Sequence, residues 1–116
     1  LYVPQELERG ADGIMTGFAF TEMLVNLHNL FSNHDKEKAE DLFDIYLPLI
    51  RHEQQFGIGL GLRKFVLQQR DIIKSSNVRS PGPVLTGDDI REMEHLLNRL
   101  NSKLIEKGLP IPKGIK

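Results

Sequence analysis

The chain has 116 residues, enough for one domain with a buried core, and it carries 15 Lys and Arg against 16 Asp and Glu. The near-zero net charge argues against nucleic acid as a partner, and the absence of Cys excludes disulfides and thiolate metal ligands. No apolar run approaches the ~20 residues that span a bilayer, and the first ten residues lack a signal-type apolar core, so we expect a cytoplasmic protein with no membrane partner.

The segment Gly10-Ala-Asp-Gly-Ile-Met-Thr-Gly-Phe-Ala-Phe20 sets a short apolar run between glycines and predicts a buried strand. Before it, Leu1 to Val3 predict the end of another strand, and Gln5 to Arg9 predict a short helix that stops at Gly10. Because parallel strands need such a crossover, we expect one or two short parallel strands in a mostly helical chain. A lone strand cannot pair its backbone groups, so the segment indicates a larger protein.

Apolar residues at helical spacing predict four helices after this strand. Thr21 and Thr86 are expected to cap the first and the last of them. Pro48 lies inside the second helix, and Gly59 and Gly61 inside the third indicate that another part of the chain comes close there. The residues predicted to face the core are Met23, Leu24, Leu27, Leu30, Phe31, Ala39, Leu42, Phe43, Tyr46, Ile50, Glu53, Ile58, Leu62, Phe65, Val66, Ile73, Ile90, Met93, Leu97, Leu100 and Leu104.

No pattern in the chain predicts a metal or nucleotide site. The His residues lie in different predicted segments, none at the i, i+4 spacing of metal ligands on a helix. They are His28, His34, His52 and His95. The segment Gly57-Ile-Gly-Leu-Gly61 lacks the preceding strand and the Gly-Lys-Ser/Thr ending of a phosphate-binding loop, so close helix packing is the favoured interpretation.

Four segments carry a resemblance to a known enzyme family. They are Gly10 to Phe20, Ala39-Glu-Asp-Leu-Phe-Asp-Ile-Tyr-Leu-Pro-Leu-Ile50, Gly57-Ile-Gly-Leu-Gly-Leu-Arg-Lys64 and Val78-Arg-Ser-Pro-Gly-Pro83. In order and spacing they resemble the C-terminal part of the dihydrodipicolinate synthase / N-acetylneuraminate lyase family of Schiff-base enzymes. The resemblance covers residues 1–104 and is nearest to members acting on 2-keto-3-deoxy sugar acids, such as 2-keto-3-deoxy-L-arabonate dehydratase. Family members commonly have Pro where this chain has Thr21.

The resemblance implies an α/β parent fold, a (β/α)8 TIM barrel followed by a C-terminal helical bundle. Residues 1–32 would form the last βα units of the barrel, 33–107 the helical extension, and 108–116 a loose tail. Such a barrel needs ~250 residues, so more than half of the enzyme would precede Leu1. Members of the family are usually homotetramers, and we expect the same of the longer protein.

In the resembled family a lysine amine condenses with a 2-keto acid and a tyrosine relays protons, with no cofactor. Those residues end the sixth and fifth barrel strands, so we expect no catalytic residue in this chain and no activity from it alone. The chain would instead line the substrate pocket at strand ends, through Tyr2, Thr16, Gly17 and Phe18. Thr16 could hydrogen-bond a substrate hydroxyl and Phe18 could exclude water. The alternative, that both only pack the barrel rim, stays open.

The function implied for the longer protein is that of a lyase, an aldolase or dehydratase, acting on a 2-keto-3-deoxy sugar acid. One alternative is the condensation of pyruvate with an aldehyde, the reaction type of dihydrodipicolinate synthase. Another is a free-standing helical interaction module without enzymatic activity, in which residues 1–20 form an arm.

Overall fold

Five α-helices and their connections make up the computed structural model, which describes residues 1–115. The helices are α1 (Val3–Glu8), α2 (Thr21–Ser32), α3 (Lys36–Glu53), α4 (Gly59–Gln69) and α5 (Gly87–Glu106). This confirms a mostly helical chain. Between residues 1 and 115 no strand is formed, so the prediction of one or two short strands is wrong for this chain. None of the five helices is long and apolar enough to cross a bilayer.

Residues 11–20 form an irregular connection between α1 and α2. A strand needs a neighbour to pair its N–H and C=O groups, and no second strand lies within residues 1–115. Leu1 and Tyr2 precede α1, which begins at Val3, so these residues do not end a strand. Pro4 lies in the first helical turn, where its missing N–H costs nothing. The predicted short helix ends, as expected, just before Gly10, whose φ is 98°.

The helix α3 lies at the centre of the fold and contacts each of the other four helices. Its buried residues are Ala39, Phe43, Tyr46, Leu49, Ile50 and Glu53. All but Leu49 were predicted to share this face, and Leu42 lies half-buried at its edge. One hydrophobic core therefore joins α3 to residues 18–20 and to the inner faces of α2, α4 and α5.

The predicted inner faces of these three helices are also confirmed. Their buried hydrophobic residues are Met23, Leu27, Leu62, Phe65, Val66, Met93, Leu100 and Leu104. The half-buried residues packed against them include Leu24, Leu30, Phe31, Ile58, Ile90 and Leu97. Ile73 is an exception, because it lies beyond the end of α4 at Gln69. Asp71 has a left-handed φ of 55°, so the helix does not continue through it.

The two predicted threonine caps have different outcomes. Thr86 caps α5 as expected: its hydroxyl accepts the Asp89 N–H at 3.2 Å, and the Asp89 carboxylate accepts the Thr86 N–H at 2.7 Å. Thr21 is instead the first residue of α2, preceded at the cap position by Phe20, which makes no side-chain cap hydrogen bond. Because Phe20 is buried in the core, tertiary packing sets where α2 begins.

The glycines of α4 confirm the predicted close approach. A Cβ atom added to Gly59 would collide with the carbonyl oxygen of Glu53, and one added to Gly61 would lie 3.1 Å from a methyl group of Leu85. The turn from α3 into α4 passes through Gly57, which has a φ of 89°. The end of α3 therefore lies directly against the start of α4.

The tail was predicted to be loose, and within residues 109–115 this is wrong. Pro112 is buried, and the carbonyl oxygen of Lys113 accepts a hydrogen bond from Nε of Arg70 at 2.9 Å. A Cβ atom on Gly114 would collide with the backbone of Arg70. The tail is packed because Arg70, a buried arginine at the end of α4, donates a hydrogen bond to the carbonyl group of Lys113 in the tail.

Candidate functional site

The four residues predicted to line a substrate pocket do not share one cavity in this chain. Tyr2 is 70% exposed and borders a hollow of about 400 Å³ between the start of α1 and α3. Thr16 is exposed and borders a different hollow of about 310 Å³ beside α2, together with Leu24 and His28. The substrate-binding role of these residues stays a prediction.

Phe18 is a core residue of this chain, with only 8% of its surface exposed. Its ring centre lies 5.5 Å from that of Phe20 and 6.4 Å from that of Tyr46, the latter in an edge-on arrangement. Phe20 and Tyr46 are in turn 5.5 Å apart. Burial, with a smaller contribution from the carboxylate of Glu22, raises the pKa of the Tyr46 hydroxyl, so this group stays protonated at neutral pH.

Gly17 lies directly under the guanidinium group of Arg63. A Cβ atom added to Gly17 would overlap Nη1 of that arginine. Any other residue at position 17 would therefore displace the side chain of Arg63. The connection and α4 are thus in direct contact at the end of the segment predicted to bind substrate.

Ala19, the next residue but one, is held on both sides of its backbone by buried charged side chains. Its N–H donates to Oε2 of Glu53 at 3.4 Å, and its carbonyl oxygen accepts a hydrogen bond from Nη1 of Arg70. Glu53 is 3% exposed and Arg70 is 4% exposed. These side chains replace the backbone partners that a neighbouring strand would have supplied.

Glu53 also pairs with Arg63, the arginine that covers Gly17. Nε of Arg63 donates to Oε1 of Glu53 at 2.5 Å. Burial raises the pKa of Glu53, while the hydrogen bond and charge of Arg63 and the N–H of Ala19 oppose that rise. Charge-assisted hydrogen bonds of this kind are stronger and more directional than neutral ones, so both oxygens of Glu53 have defined partners.

Arg70, at the end of α4, contacts the connection, α2 and the tail. Besides the carbonyl oxygens of Ala19 and Lys113, it contacts the carboxylate of Glu22 in α2. Its guanidinium carbon lies 4.5 Å from the ring centre of Phe20, within the range of a cation–π interaction. The arrangement fixes the path of the chain from residue 19 into α2 and ties it to the tail.

We refer to Glu53, Arg63 and Arg70 as the backbone clamp. Sequence reasoning placed Glu53 on the buried face of α3 but assigned it no role, and it did not single out Arg63 or Arg70. The available signal was a carboxylate on an apolar helix face, which requires a cationic partner. The sequence offers 15 Lys and Arg as candidates, and spacing alone does not choose among them.

No family model and no curated protein sequence matches the chain. Its structure is similar to the crystal structure of dihydrodipicolinate synthase from Rhodopseudomonas palustris, with a TM-score of 0.82 and 46% sequence identity over 84% of this chain. The chain spans 33% of the length of that protein. In both sequence and fold it is therefore similar to about one third of a dihydrodipicolinate synthase, which supports the family resemblance drawn from the four segments.

Proposed function

We propose that this chain is the C-terminal part of a Schiff-base-forming lyase that acts on a 2-keto acid. The observation that carries the proposal is the similarity to dihydrodipicolinate synthase, at 46% identity and a TM-score of 0.82. The chain corresponds to a third of that protein, which supports placing the catalytic lysine and tyrosine in another part of a longer protein. The chain alone would then be inactive.

The proposed substrate is a 2-keto-3-deoxy sugar acid, because the four resembling segments are nearest to family members that use such compounds. Its hydroxyl groups would distinguish it from pyruvate, and Thr16 would hydrogen-bond one of them. The exposed position of Thr16 supports this role, since its hydroxyl is open to a ligand. Tyr2 would contribute to the pocket wall. Gly17 and Phe18 would adjoin the site through their backbone, since Arg63 covers Gly17 and the Phe18 ring is buried in this chain.

The proposed architecture follows the same similarity. Residues 1–32 would complete a TIM barrel, residues 33–107 would form its helical extension, and residues 108–116 its tail. The longer protein would assemble as a homotetramer without a cofactor. Light scattering of that protein would test the assembly, and a strict monomer would contradict it.

A second candidate reaction is the condensation of pyruvate with an aldehyde. The observation that favours it is the name of the similar protein, dihydrodipicolinate synthase. Both candidates begin with a lysine imine of a 2-keto acid, and they differ in the bond that is then made or broken. The products therefore separate them: loss of water or release of a smaller fragment for the lyase, and carbon–carbon bond formation for the synthase.

Reductive trapping tests the proposal. The longer protein and the 116-residue chain would each be incubated with pyruvate or with 2-keto-3-deoxy-L-arabonate and then treated with borohydride, which reduces an imine to a stable amine. We expect the longer protein to gain the mass of one reduced adduct, on a peptide outside Leu1–Lys116, and the chain alone to gain none. A longer protein that gains no adduct from either compound would overturn the proposal and favour the helical interaction module.

A further inference from the structure

We infer that the backbone clamp of Glu53, Arg63 and Arg70 positions the substrate-binding segment, so that these three residues of the helical extension set how Thr16 faces the substrate. The inference rests on the proposed function. It assigns the three residues no contact with the substrate, and they act through the backbone of residues 17–19.

The first step is the backbone itself. Residues 11–20 have no strand partner within residues 1–115, and yet both backbone groups of Ala19 are paired. The two partners are the carboxyl group of Glu53 from α3, at 3.4 Å from the Ala19 nitrogen, and the guanidinium of Arg70 at the end of α4. The backbone at Ala19 is therefore fixed by the helical extension.

The second step is the contact at Gly17. The guanidinium of Arg63 covers this residue, and Nε of Arg63 is held by Glu53 at 2.5 Å. Two residues of the segment, 17 and 19, are thus restrained by one connected group of charges. Thr16 lies just before residue 17, and Phe18 lies between residues 17 and 19. The directions of the Thr16 and Phe18 side chains therefore depend on the backbone clamp.

The third step concerns energy. Glu53 and Arg70 are 3% and 4% exposed and lose most of their hydration, and each is paired with a more exposed side chain, Arg63 or Glu22. Ion pairs with a buried member contribute little stability compared with apolar residues of the same shape. Stability is therefore a weak reason for placing Glu53 and Arg70 in the core. Holding one backbone segment in one geometry is the stronger reason, because apolar side chains cannot bind an N–H and a carbonyl oxygen.

Amide hydrogen exchange in the 116-residue chain tests the contact. Glu53→Gln replaces one of the two acceptor oxygens by an amide NH2, so Ala19 and Arg63 compete for the oxygen that remains. The protection of the Ala19 amide should therefore fall about tenfold relative to that of Leu100 in α5. Glu106→Gln, a matched change at an exposed ion pair, should leave the ratio unchanged. An equal fall at Ala19 and Leu100 in Glu53→Gln would mean general destabilisation and would overturn the clamp.

Kinetics of the longer protein with 2-keto-3-deoxy-L-arabonate test the substrate role. We expect Glu53→Gln and Arg63→Met to lower kcat/KM about tenfold at a temperature where each variant stays folded. Arg63→Lys, which keeps the charge at a side chain that is 28% exposed, should recover part of that loss. Glu106→Gln serves again as the control and should match the wild type.

The outcomes separate the two proposals. Normal kinetics in folded Glu53→Gln and Arg63→Met variants of an active enzyme would overturn the positioning role and leave the proposed function standing. A wild-type protein that forms no imine and turns over no 2-keto acid would overturn the proposed function, and the positioning role with it. A fall in kcat/KM with unchanged Ala19 protection would also overturn the inference, because the effect would then bypass the backbone.

Discussion

Glu53 and Arg70 hold opposite sides of the same residue: the carboxylate of Glu53 accepts the N–H of Ala19, and the guanidinium of Arg70 donates to its carbonyl oxygen. One side chain comes from the end of α3 and the other follows α4. Two parts of the chain beyond α2, the end of α3 and the end of α4, therefore restrain the connection.

Removing the carboxylate of Glu53 should destabilise the fold. Glu53→Ala leaves the Ala19 N–H and Arg63 without their acceptor, and we expect a loss of about 2 to 3 kcal/mol in the free energy of unfolding. Urea denaturation followed by circular dichroism measures this value. Glu106→Ala removes an exposed ion pair that solvent screens, and it should cost much less than Glu53→Ala. Equal losses in the two variants would contradict the structural role of Glu53.

The stability that Glu53 contributes should depend on pH. Burial raises its pKa in the folded state above the ordinary value of 4.5, so the folded protein binds the proton more tightly than the unfolded chain. This contribution is fully present below pH 4.5 and is lost as the pH rises through the folded pKa. Compared with Glu53→Gln, which does not titrate there, the wild type should lose stability as the pH rises above 4.5.

Glu106 provides a control of opposite sign. Its hydrogen bond with Lys103 lowers the pKa of the Glu106 carboxyl below the ordinary value of 4.5. Its contribution is therefore present above pH 4.5 and is lost as the pH falls. Unfolding measured across the acidic range in wild type, Glu53→Gln and Glu106→Gln separates the two. The same sign of pH dependence for both residues would contradict the buried environment of Glu53.

Gly17→Ala should destabilise the chain by displacing Arg63. The new methyl group would overlap the guanidinium, which must then shift and weaken its hydrogen bond to Glu53, and we expect a loss of about 1 to 2 kcal/mol. In a Glu53→Gln background the same change should cost less, because Arg63 is no longer held. Gly13→Ala is a matched control, since a Cβ atom there meets no atom within 4 Å. Thermal unfolding of the wild type, Gly17→Ala, Glu53→Gln and the double variant gives a double-mutant cycle. Additive losses of stability would argue against coupling between Gly17 and Glu53.

Thr16→Val tests the proposed pocket in the longer protein. The change keeps the shape of the side chain and removes only the hydroxyl, so a lost hydrogen bond to the substrate should cost about 0.5 to 1.5 kcal/mol, or up to ~3 if its partner stays buried and unpaired. The expected result is a fall in kcat/KM from a few-fold to about a hundredfold with little change in Tm. Unchanged kinetics with a lower Tm would make Thr16 a packing residue.

Local sequence patterns by themselves determined most of the helical architecture. The spacing of apolar residues identified the faces of α2 to α5, Thr86 identified the start of α5, and Gly59 and Gly61 indicated a close contact. These features depend on residues a few positions apart, because helical hydrogen bonds and caps are local. Such information is present in any short window of the chain.

Tertiary structure decided the features that depend on distant partners. Residues 11–20 have strand-like composition but form no strand, because pairing requires a second strand that residues 1–115 do not supply. Thr21 does not cap α2, since burial of Phe20 sets its start, and the tail is packed because Arg70 binds the carbonyl of Lys113. The partners of Glu53 lie 34 and 10 residues away, and only folding brings a buried carboxylate and its donors within hydrogen-bonding distance.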